Sequence, residues 1–305
     1  MNSYITIDGG TTNTRVCLVR GEDVLKCIKG NVGAGHGEKE EYYKFIRDAA
    51  GELFDVCTPK AVIASGMITS AGGLFEVPHI SAPAGMAELC GGIQKKHIPY
   101  ICDMPISFIP GVKKTGTDFK ETDIMRGEET ELAGLFESFE TECAYILPGS
   151  HSKCIMTDRD GRISDFFSFL TGEMIAAVME NTILKKSIEY TDIQTDALLC
   201  GFDTCDELGI NEALFKARIL DTSYKEDKSK IFSYYTGVML HDEVKRICGL
   251  DAKKYIIGGR GELRNSEALL IEHFGKKNVL RLSDDICKNA AAIGAARIYG
   301  HKQGR

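Results

Sequence analysis

No run of 18 apolar residues occurs in this chain of 305 residues, so a membrane-spanning helix is not expected. A basic excess is lacking as well. Lys and Arg number 37 against 44 Asp and Glu, a formal charge of -7, which argues against a nucleic-acid-binding face and means that an anionic small ligand needs a local basic cluster. The eleven cysteines form no CxxC pair. The nearest two, Cys200 and Cys205, lack the spacing of zinc or redox motifs, and the set reads as reduced, mostly buried small apolar residues. Tryptophan is absent altogether. The first residues enter a strand without a basic leader or signal-type apolar segment, so the expected compartment is the cytoplasm.

What is present begins at Ile5-Thr6-Ile7-Asp8, an apolar strand that runs into Gly9-Gly10-Thr11-Thr12-Asn13-Thr14-Arg15. Glycines let a backbone approach a ligand closely, the Thr and Asn side chains and turn amides of Gly10, Thr11, Thr12 and Asn13 can donate to phosphate oxygens, and Asp8 can hold Mg²⁺ through its water shell. Arg15 opens the return strand. Further strands at Val24 to Ile28 and Ala61 to Ala64 enclose a helical pattern from Glu38 to Phe54, with Tyr42, Phe45, Ile46, Ala49 and Leu53 at helical spacing. A strand, helix and strand in that order favour a parallel crossover.

The meander then starts again, at Tyr145 to Leu147, Lys153 to Thr157 and Ile163 to Asp165, around Pro148-Gly149-Ser150-His151. Helical patterns follow at Thr171 to Lys186, Asp192 to Leu220 and Lys230 to Ile247, then the strand Tyr255-Ile256-Ile257 and helices at Glu262 to Phe274 and Ile286 to Tyr299. Two domains of ordinary size are expected, 1–140 and 141–305, with the last helix, 286–300, at the hinge. Three turns recur in an informative order. Asp8 to Asn13 would grip phosphate and metal. Gly149, Ser150, His151, Ser152 and Lys153 would close on phosphate with amides, hydroxyls and a lysine. Gly258 and Gly259, between a strand and a helix, would let an adenosine lie close. Any one glycine pair is more often plain turn punctuation, and it is their order that raises the odds.

That layout resembles the actin, hexokinase and sugar-kinase superfamily: an α/β fold of two duplicated ribonuclease H-like lobes with the active site in the interdomain cleft. Within it, Ala64-Ser65-Gly66-Met67-Ile68-Thr69-Ser70, Val77-Pro78, Ile109-Pro110-Gly111, Asp123 to Thr130, Leu147 to Lys153 and Leu170-Thr171-Gly172-Glu173 are similar to segments of the 2-dehydro-3-deoxygalactonokinases, in collinear order over nearly the whole chain. The resemblance implies ATP-dependent phosphorylation of a sugar acid with Mg²⁺ as cofactor, and a sugar pocket lined by Ser65, Gly66, Met67, Thr69 and Ser70. It also places a catalytic carboxylate at the start of a helix, where Glu128 fits and Glu129 is the second choice. Gly9 and Leu74 stand where the family is expected to carry aromatics. Glu128 and Glu129 would also simply favour the positive end of a helix, and Arg126 is read either as a partner for phosphate or substrate carboxylate or as an ordinary ion pair. Two other functions stay open at this point. One is another sugar kinase of the superfamily and the other a nonenzymatic ATP or sugar sensor; no helix-turn-helix or basic extension supports the latter.

Overall fold

In the computed structural model, which describes residues 1–35, 39–259 and 261–301, the chain divides into two compact units. The first comprises Met1–Thr141, Thr157–Phe166 and Asp285–Arg305; the second comprises Glu142–Met156 and Phe167–Asp284. A single cut near residue 140 therefore does not describe the division, because the last helix and a short strand segment return to the first unit.

The first unit opens with β1 (Ser3–Gly9), β2 (Thr14–Arg20) and β3 (Asp23–Gly30), followed by α1 (Lys39–Phe54) and β4 (Ala61–Gly66). Next come β5 (Ile80–Ser81), α2 (Met86–Gly91), β6 (Gln94–Lys96), β7 (Ile106–Phe108), β8 (Val112–Lys114), β9 (Asp123–Met125) and α3 (Glu128–Leu135). The main sheet has the order β3-β2-β1-β4-β7-β6, with β1 antiparallel to β2 and parallel to β4. All six residues of β4 are buried, as expected of a parallel strand covered on both faces. Helix α1 lays Tyr42, Ile46, Ala49 and Leu53 against Ile5, Ile7, Val16 and Leu18 of the sheet, which satisfies the periodicity that predicted it. The three short strands β5, β8 and β9 form a separate small sheet that carries the chain into α3.

Cys17 and Cys27 stand opposite each other in the β2–β3 register and are joined as a disulfide. This corrects the uniformly reduced reading, since strand register, invisible in the linear spacing, brings the two sulfurs together. Cys90, Cys102, Cys205 and Cys248 are buried thiols, as expected. Burial raises Cys205 and Cys248 to about 11, so they are inert as nucleophiles at neutral pH.

The second unit repeats the meander with β10 (Cys143–Leu147), β11 (Ser152–Thr157) and β12 (Ile163–Phe169). It continues through α4 (Thr171–Asn181), α5 (Thr195–Leu208), α6 (Ile210–Ile219), α7 (Lys228–Cys248), β13 (Lys254–Ile257), α8 (Gly261–His273) and β14 (Val279–Arg281). Its sheet order is β12-β11-β10-β13-β14, with β13 parallel to β10. The helix expected from Asp192 to Leu220 is instead broken at Gly209, where φ is +75°, into α5 and α6. Helix α7 is buried along most of its length and carries the core, packing against α5 through Phe202, Leu240 and Val244.

The final helix, α9 (Asp284–Gly300), returns to the first unit and packs against α3. A Cβ on Gly134 would lie 1.8 Å from the Ala290 carbonyl oxygen, and one on Gly294 would lie 1.9 Å from that of Thr130. The small residues of 290–296 are thus the packing seam that assigns this helix to the first unit. No helix among the described residues is long and apolar enough to cross a membrane.

Candidate active site

In the first unit, the four residues from Gly10 to Asn13 link β1 to β2, and the turn is closed by Gly10 N–H donating to the Asn13 carbonyl at 2.9 Å. Thr12 and Asn13 are exposed, with the Asn13 amide donating to the Thr12 hydroxyl. The glycine-rich segment after β3 leans on this turn. Ala34 and Gly35 donate to the Gly10 and Thr11 carbonyls, each at 3.0 Å. His36 and Gly37 lie outside the described residues.

Asp8 faces Arg15 across the β1–β2 register and pairs with it at 3.0 Å. Burial raises the Asp8 carboxyl, Arg15 lowers it, and the Glu128 charge raises it further. Asp8 also lies beside Ser65 in the parallel β1–β4 register. There β4 ends at Gly66 with φ +81°; a Cβ at this residue would sit 2.7 Å from the Gly9 carbonyl oxygen and 3.4 Å from Asp8 Oδ1. Only glycine fits that backbone. The space an aromatic at position 9 would need is taken, since a Cβ on Gly9 would already fall 2.6 Å from Ile68 and from the Tyr42 hydroxyl.

The acids of α3 separate into distinct environments. Glu129 is fully buried, and its carboxyl accepts from Gly127 N–H at 2.8 and 2.9 Å and from the Thr130 hydroxyl at 3.1 Å. Burial, with the Glu128 charge next, raises it to about 8. Glu128 is half-buried, and one of its oxygens accepts from Arg126 N–H at 3.1 Å. Glu131, which the sequence reading passed over, is raised to about 7 by burial and then by Glu128 and Asp8. Its signal was present as the i, i+3 spacing from Glu128, which sets both on one helical face. Gly127, immediately before the helix, comes within 3.3 Å of the Gly66 Cα when a Cβ is placed on it. Asp8, Ser65–Gly66 and Glu128 therefore share one corner of the unit.

Arg126 sits beside that corner with its terminal nitrogens committed. They donate to the Thr69 carbonyl at 2.7 Å, the Thr69 hydroxyl, the Val77 carbonyl at 2.9 Å and His79 Nδ1 at 3.2 Å. Burial, followed by Arg126 and Lys113, lowers His79 to about 4, so at neutral pH it accepts this bond uncharged. The expected sugar pocket is correspondingly narrower. Ser65, Gly66 and Thr69 are buried, and the Thr69 hydroxyl turns back to the Gly66 carbonyl at 3.1 Å, so Met67 and Ser70 are the partly exposed members of the five.

In the second unit, the four residues from Pro148 to His151 link β10 to β11. Glu173 N–H at the start of α4 donates to the Ser150 carbonyl at 2.9 Å, and Glu173 Oε2 meets His151 Nε2 at 2.7 Å. Lys153 is buried, with Nζ donating to the His151 carbonyl at 3.3 Å. A cavity of about 430 Å³ opens beside this turn. Gly149 and Ser150 line one end of it, Ile175, Tyr190, Ile193 and Phe232 form an apolar wall, and Thr236, Glu262 and Ser266 supply polar groups. An apolar slot with a few convergent polar groups suits a nucleoside. Gly258 and Gly259 are not in its lining. Gly259 has φ +70°, and a Cβ there would lie 2.4 Å from the Pro148 carbonyl oxygen. Tyr190, Phe232 and Thr236 were missed because they come from a loop and from a helix, α7, far from it in the chain, and share no motif.

The sequence profile described as 2-keto-3-deoxy-galactonokinase matches residues 8–293. The 2-dehydro-3-deoxygalactonokinase of Escherichia coli strain K12 is 25% identical over 246 residues, 79% of either chain. A Sinorhizobium meliloti structure assigned as the same kinase superposes with a TM-score of 0.79 at 22% identity, over 99% of this chain and all of the other. A xylulose kinase from Lactobacillus acidophilus shares the fold at 8% identity, with a TM-score of 0.56 over 100% of this chain and 90% of the other.

Proposed function

The chain belongs to the 2-keto-3-deoxy-galactonokinase family, and on that premise we propose that it transfers the γ-phosphoryl group of ATP to the C6 hydroxyl of 2-dehydro-3-deoxy-D-galactonate, giving the 6-phosphate and ADP. The observation that carries the site assignment is the corner formed by Asp8, Ser65–Gly66 and the half-buried Glu128. Phosphoryl transfer asks little covalent chemistry of a protein and depends on positioning and charge stabilisation.

Glu128 is the base. Its partial exposure leaves it able to accept the C6 hydroxyl proton and aim the oxygen in line, whereas Glu129 has both oxygens engaged at the helix start. Arg126 acts at one remove. By gripping Thr69, Val77 and His79 it holds the loop bearing Met67 and Ser70 against the strand that leads to Glu128. Asp8 fits a Mg²⁺ bound chiefly through water, the ion's usual habit, and the raising of Asp8 by Glu128, and of Glu131 by Glu128 and Asp8, marks a corner that a divalent cation would relieve. Asp8 would hold the ion, which would supply neutralising charge to the transferring phosphate. The turn amides and hydroxyls from Thr11 to Asn13 donate to phosphate oxygens, the Gly10 N–H being committed to the Asn13 carbonyl. In the second unit, Gly149 to Lys153 receive the phosphate chain while the neighbouring cavity takes the adenosine. A cytoplasmic setting, with ATP at hand, accords with this reading.

A coupled ADP-release assay of the purified protein over sugar acids and neutral sugars tests it. Turnover is expected with 2-dehydro-3-deoxygalactonate, and strong turnover only with an uncharged hexose would overturn the substrate assignment.

A further inference from the structure

Helices α7 and α8 both wall the nucleotide cavity, through Phe232 and Thr236 on one and Gly261 and Ser266 on the other. Each also buries a glutamate. Glu243 on α7 is 2% exposed and Glu267 on α8 is 0% exposed. Among the described residues no partner completes a hydrogen bond to the Glu267 oxygens, and the Glu243 oxygens meet only the looser approach of the Thr171 and Ser152 hydroxyls, a costly arrangement that a protein keeps only where the groups are neutral or have a charged partner. The groups facing Glu243 belong to the phosphate turn and its neighbour: the Ser152 hydroxyl and the Lys153 ammonium from β11, and the Thr171 hydroxyl from the first residue of α4. Glu267 meets the Glu243 charge. His241 on α7 pairs with Asp206 and Asp242, and Arg264 on α8 with Asp284.

Two carboxyls and one ammonium in an apolar pocket cannot all be charged. Burial, then the Glu243 charge, raises Glu267 well above its usual range, so it keeps its proton. Burial raises Glu243 to about 7 against the opposing pull of Ser152, Thr171 and Lys153. Glu243 is therefore poised, its ionised form favoured by the Thr171 and Ser152 hydroxyls and by the Lys153 charge.

Resting on the reading that Gly149 to Lys153 receive phosphate, we propose that Glu243 is a positioning residue whose protonation is coupled to nucleotide binding. In the free protein the Glu243 carboxylate balances Lys153. When phosphate oxygens take over the ammonium, a proton from solvent moves onto Glu243, and no uncompensated negative charge remains behind the turn. The proton balance is simple: free protein, nucleotide and one solvent proton on one side, the complex with neutral Glu243 on the other.

Isothermal titration with a nonhydrolysable ATP analogue and Mg²⁺, in buffers of matched pH near 7.5 but different ionisation enthalpy, counts the protons. The wild type should take up as much as about one proton per nucleotide beyond the ligand's own contribution. Glu243→Gln should bind the analogue without that excess, and Glu267→Gln, which replaces an already neutral acid, should retain it. Lys153→Met removes the one positive charge that favours ionised Glu243. It should lose the excess as well, so a folding failure of Glu243→Gln leaves the measurement decisive. Normal binding with the same proton count in wild type and Glu243→Gln, or in wild type and Lys153→Met, overturns the coupling alone. Absence of binding by the wild type strikes the phosphate-turn reading itself.

Discussion

The two hairpin turns are the same construction put to opposite electrostatic use. In each unit an antiparallel meander carries a four-residue turn, a parallel strand lies beside its first strand, and a positive-φ glycine at or just past the end of that parallel strand lies close to the carbonyl at the turn's entry. Gly66 does this against Gly9, and Gly259 against Pro148. The chemistry around them diverges. The first turn is surrounded by Asp8, Glu128 and Glu131 with Arg15 as counterion, whereas the second buries Lys153 over Glu243. A duplicated scaffold thus supplies an acidic corner suited to metal and proton transfer and a basic one suited to phosphate. The fold supplies close backbone approach twice, while a handful of side chains decides what approaches.

Substitutions that trade charge at one corner should separate the two duties. Glu128→Gln carries the largest expected effect, with kcat down by ~10²- to 10⁴-fold and ATP-analogue affinity retained, as loss of a general base predicts. Initial rates and a binding titration on one preparation check it, and unchanged kcat would remove Glu128 from the mechanism. Asp8→Asn should follow at ~10²- to 10³-fold in kcat, the scale of losing one preorganised electrostatic group. Its rate should be partly restored by raising Mg²⁺, a response that Glu128→Gln should not show. Lys153→Met should act on the other side of the comparison, raising KM for ATP by about 10- to 100-fold, the value of a hydrogen bond to a charged partner, with a smaller change in kcat. If Lys153→Met reduced only kcat, the division of labour between the turns would fail. Gly259→Ala should cost on the order of 1 to 3 kcal/mol in stability, because the left-handed backbone and the Pro148 carbonyl both oppose a side chain. Thermal unfolding followed with and without nucleotide reads that out.

Both meanders were legible because their signals are local: alternating apolar residues, a polar turn and a strand following at crossover distance. Helix α1 was legible for the same reason, its buried positions recurring every three or four residues. What local patterns do not carry is which groups a fold saturates. Arg126, Thr69 and Ser65 have the composition of a substrate site, yet tertiary contacts commit Arg126 to carbonyls and bury the two hydroxyls. Glu129, adjacent to Glu128 and chemically identical, differs only through the roughly 100° of helix rotation per residue that points it inward. The nucleoside cavity was the least legible part. Tyr190, Phe232 and Ser266 come from three distant segments, and only helix packing brings them to one wall. The return of α9 to the first unit rests on its small-residue seam with α3, a pattern that reads equally as any alanine-rich core helix.

The smallest expected effect concerns Glu129, and its sign follows from linkage. A carboxyl near 4.5 in the unfolded chain and raised to about 8 when buried binds its proton more tightly in the folded state. Between these values the folded protein holds a proton that the unfolded chain has lost, so stability is fully present below about 4.5, falls as pH rises toward 8 and levels off above it. Glu129→Gln cannot titrate and should remove part of that slope. Its Tm should fall less than that of the wild type between pH 5.5 and 8, by ~2 °C or more, while Glu128→Gln leaves the larger part of the slope in place. Parallel Tm curves for wild type and Glu129→Gln over that range would mean that Glu129 is ionised in the folded protein. The adjacent acids would then lose the distinction in charge that assigns one to the helix start and the other to the reacting hydroxyl.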